Sequence, residues 1–170
     1  MTQKQLNRMK LSAVCSLQAY EWLQKWIIER HPGNPYPGEP KTYFYRNTTH
    51  RQYLSKFLES VIIKVLRYKG CSPIKANDAG TYRDTSKTVM DVLGNERKIG
   101  SGTWSKAANV APGRADIICY VNSKMINYEV KVGRDSLSEL QLQEQDRAIL
   151  NNEQFIVIRT VQDFLDTIEK

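Results

Sequence analysis

Apolar residues recur at spacings of three and four from Leu6 through Met9, Ala13, Leu17, Tyr20, Leu23 (or Trp22) and Trp26 to Ile27, and this period predicts a helix over residues 3–30. The next ten residues, 31–40, hold four of the six prolines and read as a loop or extended linker. They set an N-terminal helix and Pro-rich linker, 1–40, apart from a domain over 41–170. Leu54, Phe57, Leu58, Val61, Ile62, Val65 and Leu66 form one broad stripe. They predict a second helix capped by Asn47, Thr48 or Thr49 and ending near Tyr68, just before Gly70. Residues 71–113 are polar and dotted with glycine, and Thr88 to Leu93 reads as strand or helical turn. After Pro112-Gly113 the period changes to two. Residues 115–121 and 124–132 read as strands joined by the tight-turn pair Asn122-Ser123. A helix over 137–151, a strand over 155–159 and a helix from Val161 to Ile168 complete a mixed α/β core.

The hairpin fixes which residues meet. With Asn122 and Ser123 in the turn, Asp116 lies directly opposite Glu129, their Cβ atoms about 5 Å apart. Alternation adds Lys131 to that face and gathers Ile117, Cys119, Val121, Ile126, Tyr128 and Val130 on the other, an apolar set suited to a core. Two facing carboxylates repel, and a cation between or beside them relieves the repulsion. Lys131 supplies part of that charge. A divalent metal supplies more, and oxygen donors at this spacing suit Mg²⁺ or Mn²⁺. Such an ion polarises a phosphate and lowers the pKa of a bound water, while a lysine stabilises the developing negative charge. On spacing alone, a surface charge ladder explains the three residues equally well.

Composition narrows the function. The 170 residues carry 25 Lys and Arg against 18 Asp and Glu, a net charge of +7 that favours an acidic partner, nucleic acid first. Residues 1–115 hold 19 basic and 8 acidic residues, and residues 116–170 hold 6 and 10. The sign of the charge therefore changes at Asp116. No apolar run approaches the roughly 20 residues that span a bilayer, and the first residues lack the apolar stretch of a secretory signal. Cys15, Cys71 and Cys119 are widely spaced and fit a reducing cytoplasm rather than disulfides or a zinc ribbon. Two histidines, His31 and His50, leave little material for Ser-His-Asp or zinc-peptidase chemistry, and there is no Gly-rich phosphate loop.

Gly113-Arg114-Ala115-Asp116-Ile117, followed by Tyr128-Glu129-Val130-Lys131-Val132-Gly133, resembles the active-site signature of the PD-(D/E)xK nuclease superfamily. It is more closely similar to the phage and bacterial VRR-NUC and Holliday-junction-resolvase-like nucleases. In these a G-x-x-D-I strand precedes an E-V-K strand and a Ser-x-x-Gln helix, here Ser138-Glu139-Leu140-Gln141. The segment Ile99-Gly100-Ser101-Gly102-Thr103-Trp104 sits where related phage proteins carry a glycine-and-Trp segment. The match spans about residues 80–168. It departs at Ala115, where these proteins have proline, and at Asn152-Glu153, where they have Gly-Gly; asparagine tolerates the left-handed helix stop needed there.

The resemblance implies a restriction-endonuclease-like core, a central mixed β-sheet flanked by helices, with an N-terminal helical extension. It implies a Mg²⁺-dependent deoxyribonuclease, with Mn²⁺ substituting, acting on DNA inside a bacterial or phage-infected cell. Asp116 and Glu129 become metal ligands with the Val130 backbone carbonyl, Lys131 the catalytic lysine, and Gln141 (Gln145 if the helix register slips) the residue that orients the lysine or a phosphate. Many members add a glutamate from the first core helix; Glu59 is the candidate here, its ordinary reading being a solvent-facing helix residue. Arg83, Lys87, Arg97, Lys98, Lys106 and Arg114, interleaved with Tyr82 and Trp104, fit phosphate contacts that carry no sequence information. Resolvase-like members dimerise, so a homodimer is open. The competing reading is a non-catalytic nucleic-acid-binding protein that keeps the nuclease fold. A helical adaptor is a third, and it leaves the hairpin carboxylates unexplained.

Overall fold

The computed structural model describes residues 2–32, 39–45, 52–76, 81–91, 94–101, 103–105 and 113–168. The expected helix over 3–30 is broken in two, α1 (Gln3–Arg8) and α2 (Leu17–Arg30), around a 3₁₀ turn at Leu11–Ala13. Lys10 turns left-handed at φ 58°, and serine supplies the restart: the Ser16 hydroxyl accepts the Ala19 N–H at 3.1 Å. The physical reason lies in the spacing. Leu6 and Leu11 stand about 140° apart on a continuous helix, whereas the break buries both fully and leaves Ala13 exposed. Pro40 opens a short helix, α3 (Pro40–Phe44), whose last residue is buried.

The broad stripe forms α4 (Tyr53–Tyr68), which buries every member of it but the half-buried Leu54. The expected caps, residues 47–49, and the middle of the proline-rich stretch lie outside the described residues. Beyond α4 come β1 (Ile74–Lys75), β2 (Thr81–Arg83), β3 (Lys87–Met90), β4 (Glu96–Ile99) and β5 (Thr103–Ser105). Lys87 to Met90 is thus strand rather than helical turn. The pairs β2–β5 and β3–β4 are separate two-stranded ribbons, and β3 and β4 are exposed along their whole length.

The main sheet has four strands in the order β1-β6-β7-β8, with β6 at Ile117–Val121, β7 at Lys124–Val130 and β8 at Gln154–Ile158. Pairs from Ile117–Tyr128 to Val121–Lys124 carry the register expected from the sequence. Asn122 and Ser123 both have positive φ, 50° and 64°, the backbone of the two-residue turn that suits strand twist. β7 and β8 run parallel, joined through α5 (Glu139–Leu150), while β1 and β7 flank β6 antiparallel, so the sheet is mixed.

The closing helix, α6 (Val161–Ile168), matches its predicted span. One apolar cluster joins Leu6, Leu11 and Leu23 from the N-terminal helices to α4, to Ile117, Cys119 and Tyr128 of the hairpin, and to Phe164 of α6. The Val161 N–H donates to the Val14 carbonyl at 2.7 Å. Residues before the linker therefore contribute to the same apolar cluster as those after it.

α5 ends as its sequence suggests. Asn152 sits at φ 58°, its N–H donates to the Ile149 carbonyl, and the Glu153 N–H reaches back to the Ala148 carbonyl at 2.8 Å. This bond pattern closes a helix around one left-handed residue. Because asparagine occupies that conformation at some strain, Asn152→Gly is expected to raise stability by roughly 0.5–1 kcal/mol. Urea unfolding of the two proteins measures the difference.

Candidate active site

Three elements meet where the hairpin leaves the sheet. Asp116 stands immediately before β6, Glu129 near the end of β7, and Lys131 just beyond it. Asp116 is anchored across the hairpin, its Oδ2 accepting the Val130 N–H at 2.9 Å. Its own carbonyl accepts the Ala76 N–H at 2.8 Å, which ties it to β1. Glu129 is 2% exposed and Lys131 8%, so both are held out of bulk water. The Lys131 ammonium lies 3.0 Å from Glu129 Oε1 and 3.7 Å from Asp135.

Gln141 joins the same oxygen. Ser138 and Gln141 form a reciprocal cap at the start of α5, with Gln141 Oε1 accepting the Ser138 N–H at 3.0 Å. That bond turns the amide so that Nε2 donates to Glu129 Oε1 at 2.6 Å. The Ser-x-x-Gln spacing thus starts the helix and aims a donor at Glu129. The approach is permitted by Gly113, at φ 85°, where a Cβ would come within 2.5 Å of the Leu140 carbonyl oxygen. Arg159, not singled out from the sequence, braces the loop after Lys131 by donating to the carbonyls of Gly133 and Asp135.

The electrostatics of the pair are strained. Burial raises the pKa of Asp116 above the ordinary carboxylate range, the Glu59 charge adds to the rise, and the Val130 N–H, Lys131 and Lys56 partly oppose it. Burial also raises Glu129, Asp116 adds to it, and Lys131 offsets part. Among the described residues, Glu129 Oε2 is buried without a hydrogen-bond partner. A buried carboxylate oxygen in that state is costly, and such exceptions call for an ion, a water or a substrate. Two carboxylates with a spare oxygen would suit a hard divalent cation such as Mg²⁺ or Mn²⁺.

Glu59 is not solvent-facing. It is 5% exposed, and both carboxylate oxygens face lysines: Oε1 lies 3.1 Å from Lys56 Nζ, and Oε2 pairs with Lys75. Among the described residues, no three His, Cys, Asp or Glu side chains gather closely enough to hold a metal together. Gln145, the alternative to Gln141, is half-buried one turn further along α5.

The basic residues are spread. Arg114 is exposed two residues before Asp116. Lys87, Arg97 and Lys98 are exposed on the β3–β4 ribbon, where Lys98 pairs with Asp84 at 3.1 Å. Arg83 lies on β2, paired with Thr103, and Tyr82 is paired with Trp104. Lys106 lies outside the described residues. A cavity of about 870 Å³ lies at the opposite, turn end of the hairpin, lined by Asn122, Lys124, Phe155 and Asp166 among others, and includes none of the site residues.

No family model, no curated protein and no solved structure matches the chain. The described helices include none long and apolar enough to cross a membrane.

Proposed function

We propose that the chain is a divalent-metal-dependent nuclease that hydrolyses the DNA backbone, built on the restriction-endonuclease-like plan that its motifs resemble. The observation that carries this reading is the buried Asp116–Glu129 pair, its negative charge part-balanced by Lys131 and, at Asp116, by Lys56, with one Glu129 oxygen lacking a partner among the described residues. A fold selected for stability alone would not keep such a pair, because burying like charges together costs more than either hydrogen bond returns.

Asp116 Oδ1, Glu129 Oε2 and the Val130 carbonyl would hold Mg²⁺, with Mn²⁺ substituting. When bound, the ion polarises the scissile phosphate and lowers the pKa of an attacking water. The chain's own residues do the rest. Lys131, fixed by Glu129 at 3.0 Å, holds a positive charge where negative charge develops on the phosphoryl oxygens. Gln141 fixes the Glu129 carboxylate and so sets the direction of its free oxygen. The Val130 N–H does the same for Asp116. Arg114 and the ribbon cations Arg97 and Lys98 would hold flanking phosphates without reading bases.

The test is cleavage of supercoiled, linear, single-stranded and branched DNA in Mg²⁺, in Mn²⁺ and in EDTA. Nicking with either metal, abolished by EDTA and by Asp116→Ala or Lys131→Ala, is the expected result. A wild-type protein that cuts none of these substrates with either metal refutes the proposal.

A further inference from the structure

Glu59 presents an imbalance. A carboxylate buried to this depth needs a cationic partner, and one is enough to neutralise it. Glu59 has two. The Lys56 ammonium reaches both oxygens, at 3.1 and 3.3 Å, and Lys75 closes on Oε2. The trio therefore carries one positive charge beyond what Glu59 requires. Its cations also remain open to solvent: the Lys56 side chain is 32% exposed and that of Lys75 39%, against 7% for Glu59. An ammonium has three N–H donors, so with respect to the described residues each lysine keeps donors for a further anion.

Position gives the surplus charge a use. Lys56 and Glu59 lie near the start of α4, and Lys75 on β1 is paired with Ile117 of β6. The next residue, Ala76, donates its N–H to the Asp116 carbonyl at 2.8 Å. Three elements thus bring two lysines alongside the carboxylate centre. Both Glu59 and Lys56 act electrostatically on Asp116.

We infer that Lys56 and Lys75, locked in place by Glu59, form a binding subsite for a backbone phosphate of the nucleic acid next to the Asp116–Glu129 centre. This deepens the nuclease reading and rests on it. In this arrangement Glu59 is a positioning residue rather than a further metal ligand: its oxygens orient two point charges of the kind that lysine supplies to phosphate. The contact is independent of base sequence.

The test is binding without metal or catalysis. Fluorescence anisotropy follows a labelled short DNA duplex in EDTA over a series of salt concentrations. Each lost phosphate contact reduces the slope of log K against log salt by about 0.9. The Lys56→Gln/Lys75→Gln protein is expected to show that shallower slope and roughly tenfold weaker binding at low salt. Because that variant leaves Glu59 buried without a cation, the triple variant Lys56→Gln/Glu59→Gln/Lys75→Gln is measured as well, and it is expected to show the same loss. Glu59→Gln alone keeps an amide oxygen to orient a lysine but removes the negative charge that competes with phosphate, and it is expected to bind more tightly than wild type. A triple variant with the wild-type slope overturns the subsite, as does a Glu59→Gln protein whose metal-free binding is unchanged. If wild type nicks DNA while the slopes coincide, the subsite fails and the nuclease reading stands. If the slopes differ as expected but wild type nicks nothing with any metal, the nuclease reading fails and the lysines remain a nucleic-acid contact. A wild-type protein that binds no duplex overturns both.

Discussion

The Glu129→Gln protein is expected to melt at a higher temperature than wild type in EDTA and to lose cleavage by roughly 10²–10³-fold or more. Both halves follow from one carboxylate. Glutamine keeps a carbonyl oxygen for Lys131 and Gln141, which now share Oε1. It replaces the unpartnered Oε2 with a donor and removes a buried negative charge that Asp116 opposes. Relief of about 1 kcal/mol corresponds to a shift of roughly 2–4 °C in a chain of this size. The same change deletes the oxygen proposed to hold the cation. Stability gained at the expense of activity is the behaviour of a site kept strained for function. A variant that melts lower and still cuts would contradict both arguments.

The pH dependence separates this effect from general acid sensitivity. Asp116 and Glu129 have folded pKa values raised above their ordinary 3.8 and 4.5. The folded state therefore holds these protons more tightly than the unfolded chain does. Their contribution to stability is greatest below the ordinary values and is lost as pH rises through the raised ones. Glu144, lowered by Arg147, follows the opposite sign. The melting difference between Glu129→Gln and wild type in EDTA should accordingly widen from acid toward neutral pH, and Mg²⁺ should narrow it by raising only the wild type.

Gly113→Ala is expected to cost roughly 2–4 kcal/mol, combining left-handed strain with overpacking, and to lower cleavage with it. The added methyl would meet the Leu140 carbonyl oxygen at 2.5 Å and its carbon at 2.6 Å, backbone that no rotamer change can move aside. Relief requires the start of α5 to back away, carrying Gln141 from Glu129. Gly133→Ala supplies the control. That glycine, at φ 65°, has no atom of the described residues beyond its chain neighbours within 4 Å of the added position, so only conformational strain of about 1 kcal/mol applies. Urea unfolding and the cleavage assay on both variants decide it. Equal losses would mean that the contact with Leu140 does not matter.

What could be read from the sequence was local. Period-two alternation around Asn122-Ser123 determined the hairpin register and, with it, that Asp116, Glu129 and Lys131 share a face. α6 was legible because every third or fourth residue is apolar. The break at Lys10 was not, because Met9 and Ala13 imitate a continuous stripe and only the serine cap at residue 16 marks the restart. Glu59 could be placed at the border of its stripe, but not the Lys75 that closes on it. Lys75 reaches it from a two-residue strand with no pattern of its own. The ribbons of residues 81–105 were likewise obscure: β3 and β4 bury neither face, so no apolar period writes them into the chain.

The hydrogen bond from Val161 to Val14, with the apolar cluster running from Leu6 to Leu165, has a consequence for how the molecule is made. Nearly the whole chain lies between the residues that this contact joins. The part of the core that α6 contributes, and the bond it makes to Val14, cannot form until that helix has been synthesised. Contacts of such long sequence separation form slowly, and the apolar surface exposed in the meantime invites aggregation. The protein is therefore expected to depend on chaperones while it is being made more than its modest size suggests.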